Sequence, residues 1–322
     1  VLTTRHHDGF SLFDSKVSDF TSVKTAAGRD LVAEYVEACR RAGLRVGFYY
    51  SLLDWRWPEY WRGPKGDPDG WERFLSYVHS QVEELCTQYG KIDVLWYDGS
   101  WPYSAEEWRS AELNKRVREL QPGILINNRS GLPEDFDTPE KVVTPSPPGR
   151  MWEACMTIND SWGYNAGDRN WKSVRQLIHI LVGCASREGN LLLNVGPRAD
   201  GTIQPEAVRR LREIGRWMRA NGESIYGSRR CSFTSTVGPF TAKGNKAYLH
   251  AFRWPGREIC VAGVGNTVVS AYFLATGEEI KFVQRGDRVF LRNLPRGAPD
   301  PYDTVIVLEL DGEPMATPYR VE

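Results

Sequence analysis

Two patterns of hydrophobic residues alternate along the first two thirds of the chain. Short, nearly continuous apolar runs predict buried strands, and six of them occur, at residues 1–5, 44–51, 92–98, 123–129, 152–158 and 190–196. Between them, apolar residues recur every three to four positions, which predicts amphipathic helices over residues 31–39, 71–85, 174–181 and 208–217. This alternation of strand and helix indicates a parallel α/β architecture.

Polar residues collect at the carboxyl ends of the predicted strands. His6 and His7 follow the first strand, Asp98 ends the third, Arg129 ends the fourth and Asn194 lies near the end of the sixth. In a (β/α)8 barrel this rim carries the active site. Six strand-helix units are two short of that barrel, so we expect one that lacks its first units, with an open doubly wound sheet as the alternative.

The pattern changes after Gly222 to short runs of alternating apolar and polar residues. Such runs at 248–252 and 289–291 are separated by Gly-Asn, Pro-Gly and Thr-Gly pairs, which are typical of turns. We therefore predict two domains. A (β/α) barrel, incomplete at its N-terminus, spans residues 1–228, and an antiparallel β-sandwich spans residues 229–322.

Charge and composition exclude several classes of protein. The 322 residues include 41 Lys and Arg and 41 Asp and Glu, so the formal net charge is zero and no basic surface for nucleic acid is indicated. No apolar run approaches the ~20 residues of a membrane-spanning helix. The chain opens inside a predicted strand, so any signal peptide would lie upstream of it, and an extracellular or periplasmic location is compatible with the sequence. A homo-oligomer is compatible with it as well.

Three carboxylates are candidates for nucleophilic and acid–base chemistry. Asp98 follows the buried run VLWY, and Glu140 and Glu153 come soon after Arg129. Glycoside hydrolysis requires one nucleophilic carboxylate and one carboxyl group that donates a proton. Asp98 is therefore the candidate nucleophile, and the two glutamates are candidate acids. The alternative is that Asp98 caps a helix or pairs with Arg129 for structural reasons.

Histidine and tryptophan fit a sugar-binding site better than a metal site. His6 and His7 are adjacent, and the three remaining histidines lie in predicted helices or in the second domain, so three or four converging ligands are not indicated. We expect no metal and no cofactor. Aromatic rings that stack on sugars or roof the barrel are abundant in the loops after the strands. They are Trp55, Trp57, Trp61, Trp96, Trp101, Trp152 and Trp162.

Seven stretches, taken in order, resemble glycoside hydrolase family 29, the α-L-fucosidases of bacterial type. They are TTRHHDGFSLFDS, GLRVGFYYSLLDW, KIDVLWYDGSW, DFDTPE, WEACMTINDSWGYN, NLLLNVGPRADGTI and NGESIYGSR. The resemblance implies a retaining exo-α-L-fucosidase that removes terminal α-L-fucose from glycans or glycoconjugates by double displacement. The family's segment before HHDGF is absent, which agrees with an N-terminally truncated barrel.

The resemblance also implies roles for particular residues. Asp98 matches the nucleophile, and Glu140 matches the acid/base of most bacterial members, with Glu153 in reserve. The matches to fucose-binding groups are His6, His7, Trp96 and Arg129, with Tyr50 and Trp162 as apolar pocket walls. Two alternatives stay open: a non-catalytic fucose- or carbohydrate-binding protein, and a related glycosidase of different sugar specificity.

Overall fold

The computed structural model describes residues 1–317, which belong to two compact units, Val1–Thr138 and Pro139–Glu322. The predicted second domain runs to residue 322, and its residues 318–322 lie outside the described part. The domain boundary that the sequence predicts between residues 228 and 229 stays a prediction.

A four-stranded parallel sheet forms the centre of the first unit. Its strands pair in chain order. They are β1 (Leu2–Arg5), β2 (Gly47–Ser51), β3 (Val94–Asp98) and β4 (Leu125–Ile126). The helices of this unit are α1 (Leu31–Arg41), α2 (Pro58–Gly66), α3 (Pro68–Gln88) and α4 (Ser110–Leu120). The first four predicted strands are therefore present and parallel.

Helices α1 and α3 begin at acidic caps and bury one face. Asp30 accepts a hydrogen bond from the backbone N–H of Ala33, and Asp67 accepts one from Gly70. Each cap satisfies one of the free N–H groups of the first turn. The apolar stripes of both helices join one hydrophobic cluster with side chains of β2 and β3, in which Phe74 is completely buried. Burying such a side chain contributes about 1.5–3 kcal/mol.

Strand β4 is shorter than predicted because an asparagine side chain interrupts the ladder. The side-chain amide of Asn127 donates to the carbonyl of Tyr97 at 2.9 Å, and its oxygen accepts from the N–H of Tyr97, also at 2.9 Å. Asn128–Ser130 then form one turn of 3₁₀ helix. Arg129 therefore projects from this turn, whereas the sequence pattern predicts it on the strand.

The second unit begins with a parallel strand pair and two helices. Strands β5 (Glu153–Thr157) and β6 (Asn190–Asn194) pair in parallel. The helices are α5 (Val174–Ala185) and α6 (Pro205–Asn221). Helix α5 starts at a capping box in which Ser173 and Gln176 exchange side-chain and backbone hydrogen bonds. The last two predicted parallel strands are confirmed.

Two antiparallel sheets complete the second unit. Their strands are β7 (Arg229–Arg230), β8 (Phe240–Lys243), β9 (Lys246–Ala251), β10 (Glu258–Val261), β11 (Val268–Phe273), β12 (Lys281–Arg285), β13 (Arg288–Arg292) and β14 (Thr304–Leu310). The larger sheet has the strand order β11-β14-β9-β8-β7, and the smaller sheet has the order β10-β13-β12. Buried residues from both sheets, including Leu249 and Leu291, form one hydrophobic cluster. The predicted change to antiparallel structure is confirmed.

A buried ion pair joins β1 to the loop that follows β2. Arg5 Nη2 lies 3.1 Å from Asp54 Oδ2, and the two side chains are 0% and 1% exposed. Arg5 also donates to the carbonyl of Leu53 at 3.1 Å. A Cβ at Gly9, where φ is +76°, would lie 2.4 Å from Asp54 Oδ2, so the loop after β1 passes directly over the pair. Removing two charges from water costs free energy, which their mutual attraction and hydrogen bonds must offset.

The burial of this pair predicts a large stability effect. Replacing Asp54 by Asn keeps the shape but leaves Arg5 buried without a counter-charge, so we expect the free energy of unfolding to fall by about 3–5 kcal/mol in denaturant titration. The matched control is Asp19→Asn, since Asp19 lies 3.2 Å from Lys24 but is 100% exposed. Little change is expected there. Similar losses in the two variants would contradict the prediction.

Candidate active site

The Asp98 carboxylate ends β3 and is held by two side chains from neighbouring elements. Its side chain is 11% exposed, and its Oδ1 accepts a hydrogen bond from Arg129 Nη1 at 3.0 Å. Its Oδ2 accepts from the Tyr49 hydroxyl at 2.7 Å. Both oxygens are therefore oriented, one by a charge-assisted bond, while part of the group stays open to solvent.

Arg129 is itself held in place by its surroundings. Its Nε donates to the Thr138 hydroxyl at 3.0 Å, and its Nη2 donates to the Thr138 carbonyl at 3.1 Å. The guanidinium carbon lies 4.6 Å from the centroid of the Trp96 ring. Trp96 precedes Asp98 by two residues on β3, so both side chains lie on the same face of the sheet. The cation stacks on the tryptophan while it binds the carboxylate.

The two adjacent histidines both reach this group. The His6 ring stacks on Tyr49, with centroids 5.4 Å apart, and lies 4.1 Å from the His7 ring. His7 Nδ1 is 2.7 Å from Ser51 Oγ, and His7 Nε2 is 3.7 Å from Asp98 Oδ2. The first unit thus brings together a set that we call the Asp98 cluster: His6, His7, Tyr49, Trp96, Asp98 and Arg129.

Tyr50 does not belong to the Asp98 cluster. It is completely buried, its hydroxyl contacts Arg5 and donates to Gln81 Oε1 at 3.0 Å, and burial raises its pKa. Because alternate residues of a strand point to opposite faces, Tyr50 lies on the face away from the Asp98 cluster. The prediction of Tyr50 as a wall of the fucose pocket is therefore wrong. Tyr49 stands on the cluster face instead. The sequence signal that could have identified it is the period of two along the strand, which places Tyr49 and Tyr50 on opposite faces.

Glu140 and Trp162 are brought together in the second unit. Trp162 Nε1 donates to Glu140 Oε1 at 3.2 Å. The backbone around Glu140 runs along β5, since Cys155 N–H donates to the Pro139 carbonyl at 3.1 Å and Lys141 N–H donates to the Cys155 carbonyl at 2.9 Å. The Glu140 side chain is exposed on this hydrogen-bonded segment. A carboxyl group in this position is accessible to a ligand that approaches from solvent.

Glu153 has a different environment from Glu140. It is the first residue of β5, half-buried, and it lies opposite Asn190 at the amino end of the parallel pair. Burial raises the pKa of the Cys184 thiol in α5 to about 12, and the negative charge of Glu153 acts in the same direction. Glu153 stands at the amino end of β5, whereas ligands of parallel α/β folds bind at the carboxyl ends of strands.

The described side chains and helices bear on metal binding and on membrane insertion. Over residues 1–317, no three His, Cys, Asp or Glu side chains are grouped so that they could hold a metal ion. None of the helices in that range has both the length and the apolar character needed to cross a bilayer.

The chain is similar to known α-L-fucosidases along most of its length. A model of the α-L-fucosidase family matches residues 1–223. An α-L-fucosidase of Dictyostelium discoideum is 30% identical over 94% of this chain and 71% of its own length. These matches define the protein as a glycoside hydrolase. The chain belongs to the α-L-fucosidase family.

Solved structures support the same assignment. An α-L-fucosidase isoenzyme of Paenibacillus thiaminolyticus is 40% identical and superimposes with a TM-score of 0.90, covering 96% of this chain and 82% of that one. A family 29 α-L-fucosidase of Bacteroides thetaiotaomicron, trapped as a covalent intermediate in complex with 2-fluoro-fucosyl fluoride, is 31% identical with a TM-score of 0.87, covering 96% of this chain and 77% of that one. The resemblance found in the sequence is confirmed.

The environment of His7 predicts a pH-dependent contribution to stability. Burial lowers the pKa of His7 to about 4, the neighbouring His6 lowers it too, and Asp98 opposes both. An unfolded histidine titrates near pH 6.5, so below about that pH the unfolded chain binds a proton that folded His7 does not. Stability therefore falls as pH drops from about 6.5 towards 4. In His7→Gln, the free energy of unfolding measured by denaturant titration at each pH should vary less steeply over this window. Identical slopes would contradict the prediction.

Proposed function

We propose that this chain is a retaining exo-α-L-fucosidase that removes terminal α-L-fucose from glycans or glycoconjugates. The observation that carries the proposal is the Asp98 carboxylate at the end of β3, oriented by Arg129 and Tyr49 in a chain of the α-L-fucosidase family. A partly open carboxylate whose two oxygens are already positioned is suited to attack on an anomeric carbon.

The reaction would proceed by two displacements. Asp98 attacks the anomeric carbon of fucose and forms a glycosyl-enzyme ester while the bond to the leaving oxygen breaks. Glu140 gives its proton to that oxygen, and then, as a carboxylate, takes a proton from the water that attacks the ester. Each displacement inverts the anomeric carbon, so the product keeps the α configuration.

Glu140 is favoured over Glu153 as the acid by its position. Its carboxylate is exposed and accepts from Trp162, the predicted pocket wall, whereas Glu153 is half-buried at the amino end of β5. A group that protonates a departing sugar must be reachable by substrate. Glu153 remains the reserve.

The remaining residues would bind fucose itself. Since burial lowers the His7 pKa to about 4, its ring is neutral at physiological pH and can both donate and accept a hydrogen bond. His6, His7 and Arg129 would bind the hydroxyls, and Trp96 and Trp162 would contact the apolar parts of the ring, including the methyl group on C5. Tyr49, which lies beside Asp98, takes the place in this pocket that the sequence analysis gave to Tyr50.

The fold proposed with this function is a (β/α)8-type barrel followed by an antiparallel β-sandwich. The six parallel strands and the cluster shared by the two antiparallel sheets support it. We retain residues 1–228 and 229–322 as the proposed extents of these domains.

The stereochemistry of hydrolysis tests the reaction type. With an aryl α-L-fucoside, proton NMR should show α-fucose as the first product, before mutarotation, and a β-linked fucoside should be left intact. β-Fucose as the first product would contradict double displacement. Binding of fucose without turnover would favour a carbohydrate-binding protein instead.

Carboxylate variants test the residue roles. Glu140→Gln should lower kcat/KM on a fucosyl disaccharide by roughly 10²–10⁴-fold, but much less on α-L-fucosyl fluoride, because fluoride leaves without a proton. Asp98→Ala should be nearly inactive on both substrates. Glu153→Gln is the matched control and should behave like the parent protein. A loss confined to Glu153→Gln would transfer the acid role to that residue.

A further inference from the structure

We propose that Trp55 and Trp101 form a platform that binds the sugar to which fucose is linked. The inference rests on the proposed fucosidase activity and concerns the leaving-group side of the same site. Both indoles are large, apolar and unusually open, with 54% and 53% of their surfaces exposed. Tryptophan is normally well buried on average, so two such rings beside a nucleophile require an explanation.

Both rings contact the histidine next to Asp98. The His7 ring centroid lies 5.5 Å from that of Trp55 and 6.1 Å from that of Trp101. The other side of His7 is directed to the nucleophile, since its Nε2 is 3.7 Å from Asp98 Oδ2. Through His7, the two tryptophans are therefore each linked to the nucleophile by one intervening side chain.

The backbone beneath both rings is firmly held. Trp55 N–H donates to the His7 carbonyl at 2.8 Å, and the Trp55 carbonyl accepts from Trp61 Nε1 at 3.1 Å. The Trp101 carbonyl accepts from the Tyr60 hydroxyl at 2.8 Å. The rings are thus presented to solvent by an ordered support, which lowers the entropy that a ligand must remove on binding.

A pyranose ring fits this surface better than other ligands. Its axial C–H groups form an apolar face that stacks on an indole, while its hydroxyls stay in water. A sugar bonded to fucose through the scissile oxygen must lie just outside the fucose-binding groups, and the two indoles flank one of those groups, His7. The occupant is therefore the first sugar of the aglycone, and the platform sets preference among fucosylated glycans.

Substrates with and without that sugar test the platform. α-L-Fucosyl fluoride carries no second ring, whereas a fucosyl disaccharide does; the disaccharide is the one that the parent protein cleaves fastest among α-1,2, α-1,3, α-1,4 and α-1,6 linkages. Trp55→Ala and Trp101→Ala should each lower kcat/KM on the disaccharide roughly three- to tenfold and leave the fluoride rate nearly unchanged. Trp55→Phe and Trp101→Phe should recover part of the loss.

Leu44→Ala is the matched control, because Leu44 is also an exposed apolar residue but precedes β2 at the opposite end of the strand. It should change neither rate, and thermal melts should show that all variants fold. Equal losses on both substrates, or no loss on the disaccharide, would overturn the platform. If the parent protein cleaves neither substrate, the proposed function itself fails, and the inference fails with it.

Discussion

The buried ion pair between Arg5 and Asp54 fixes how the end of β1 meets the loop after β2. From Arg5 the chain continues directly into the Asp98 cluster, and from Asp54 it continues into the proposed platform. His6 and His7 follow Arg5, and Trp55 follows Asp54. Because neither charge can be solvated, the geometry of the pair is enforced by the large penalty for separating two buried ions.

The second constraint is the parallel register of β2 and β3. Tyr49 lies opposite Trp96, and Ser51 lies opposite Asp98. With a side-chain period of two, this register places all four on one face, so that Tyr49 can bind Asp98 while Ser51 binds His7. The opposite face carries Tyr50 and the apolar residues that pack against the helices. One short strand pair thus separates the chemistry from the core.

Much of the fold could be predicted from periodicity because burial on both faces makes parallel strands nearly continuous in apolar residues. All six predicted strands are present, and the change to antiparallel structure after Gly222 is present too. The length of β4 was not predictable in this way. The Asn127 side chain makes hydrogen bonds to the backbone of Tyr97 where a longer strand would make backbone ladder bonds. The pattern of hydrophobic residues carries no information about such side-chain bonds.

The candidate site could be predicted only in part, because some of its contacts join residues that are far apart in the sequence. Strand ends indicated Asp98 and the histidines, and the Arg129–Asp98 pair is present. The resemblance favoured Tyr50 where the strand alternation places Tyr49 on the site face. The buried pair of Arg5 and Asp54 joins residues far apart in sequence, so no local pattern reports it. Exposure of Trp55 and Trp101 likewise depends on tertiary packing, which composition does not determine.

Locating the covalent bond that the mechanism requires would test directly whether Asp98 is the nucleophile. The intact protein, incubated with 2-fluoro-fucosyl fluoride and examined by mass spectrometry, should gain the mass of one fluorofucosyl group. Proteolysis should place that group on the peptide containing Asp98, and Asp98→Ala should remain unlabelled. A label on another carboxylate, or rapid turnover of the parent protein with no trapped ester, would contradict the assignment of Asp98 as the nucleophile.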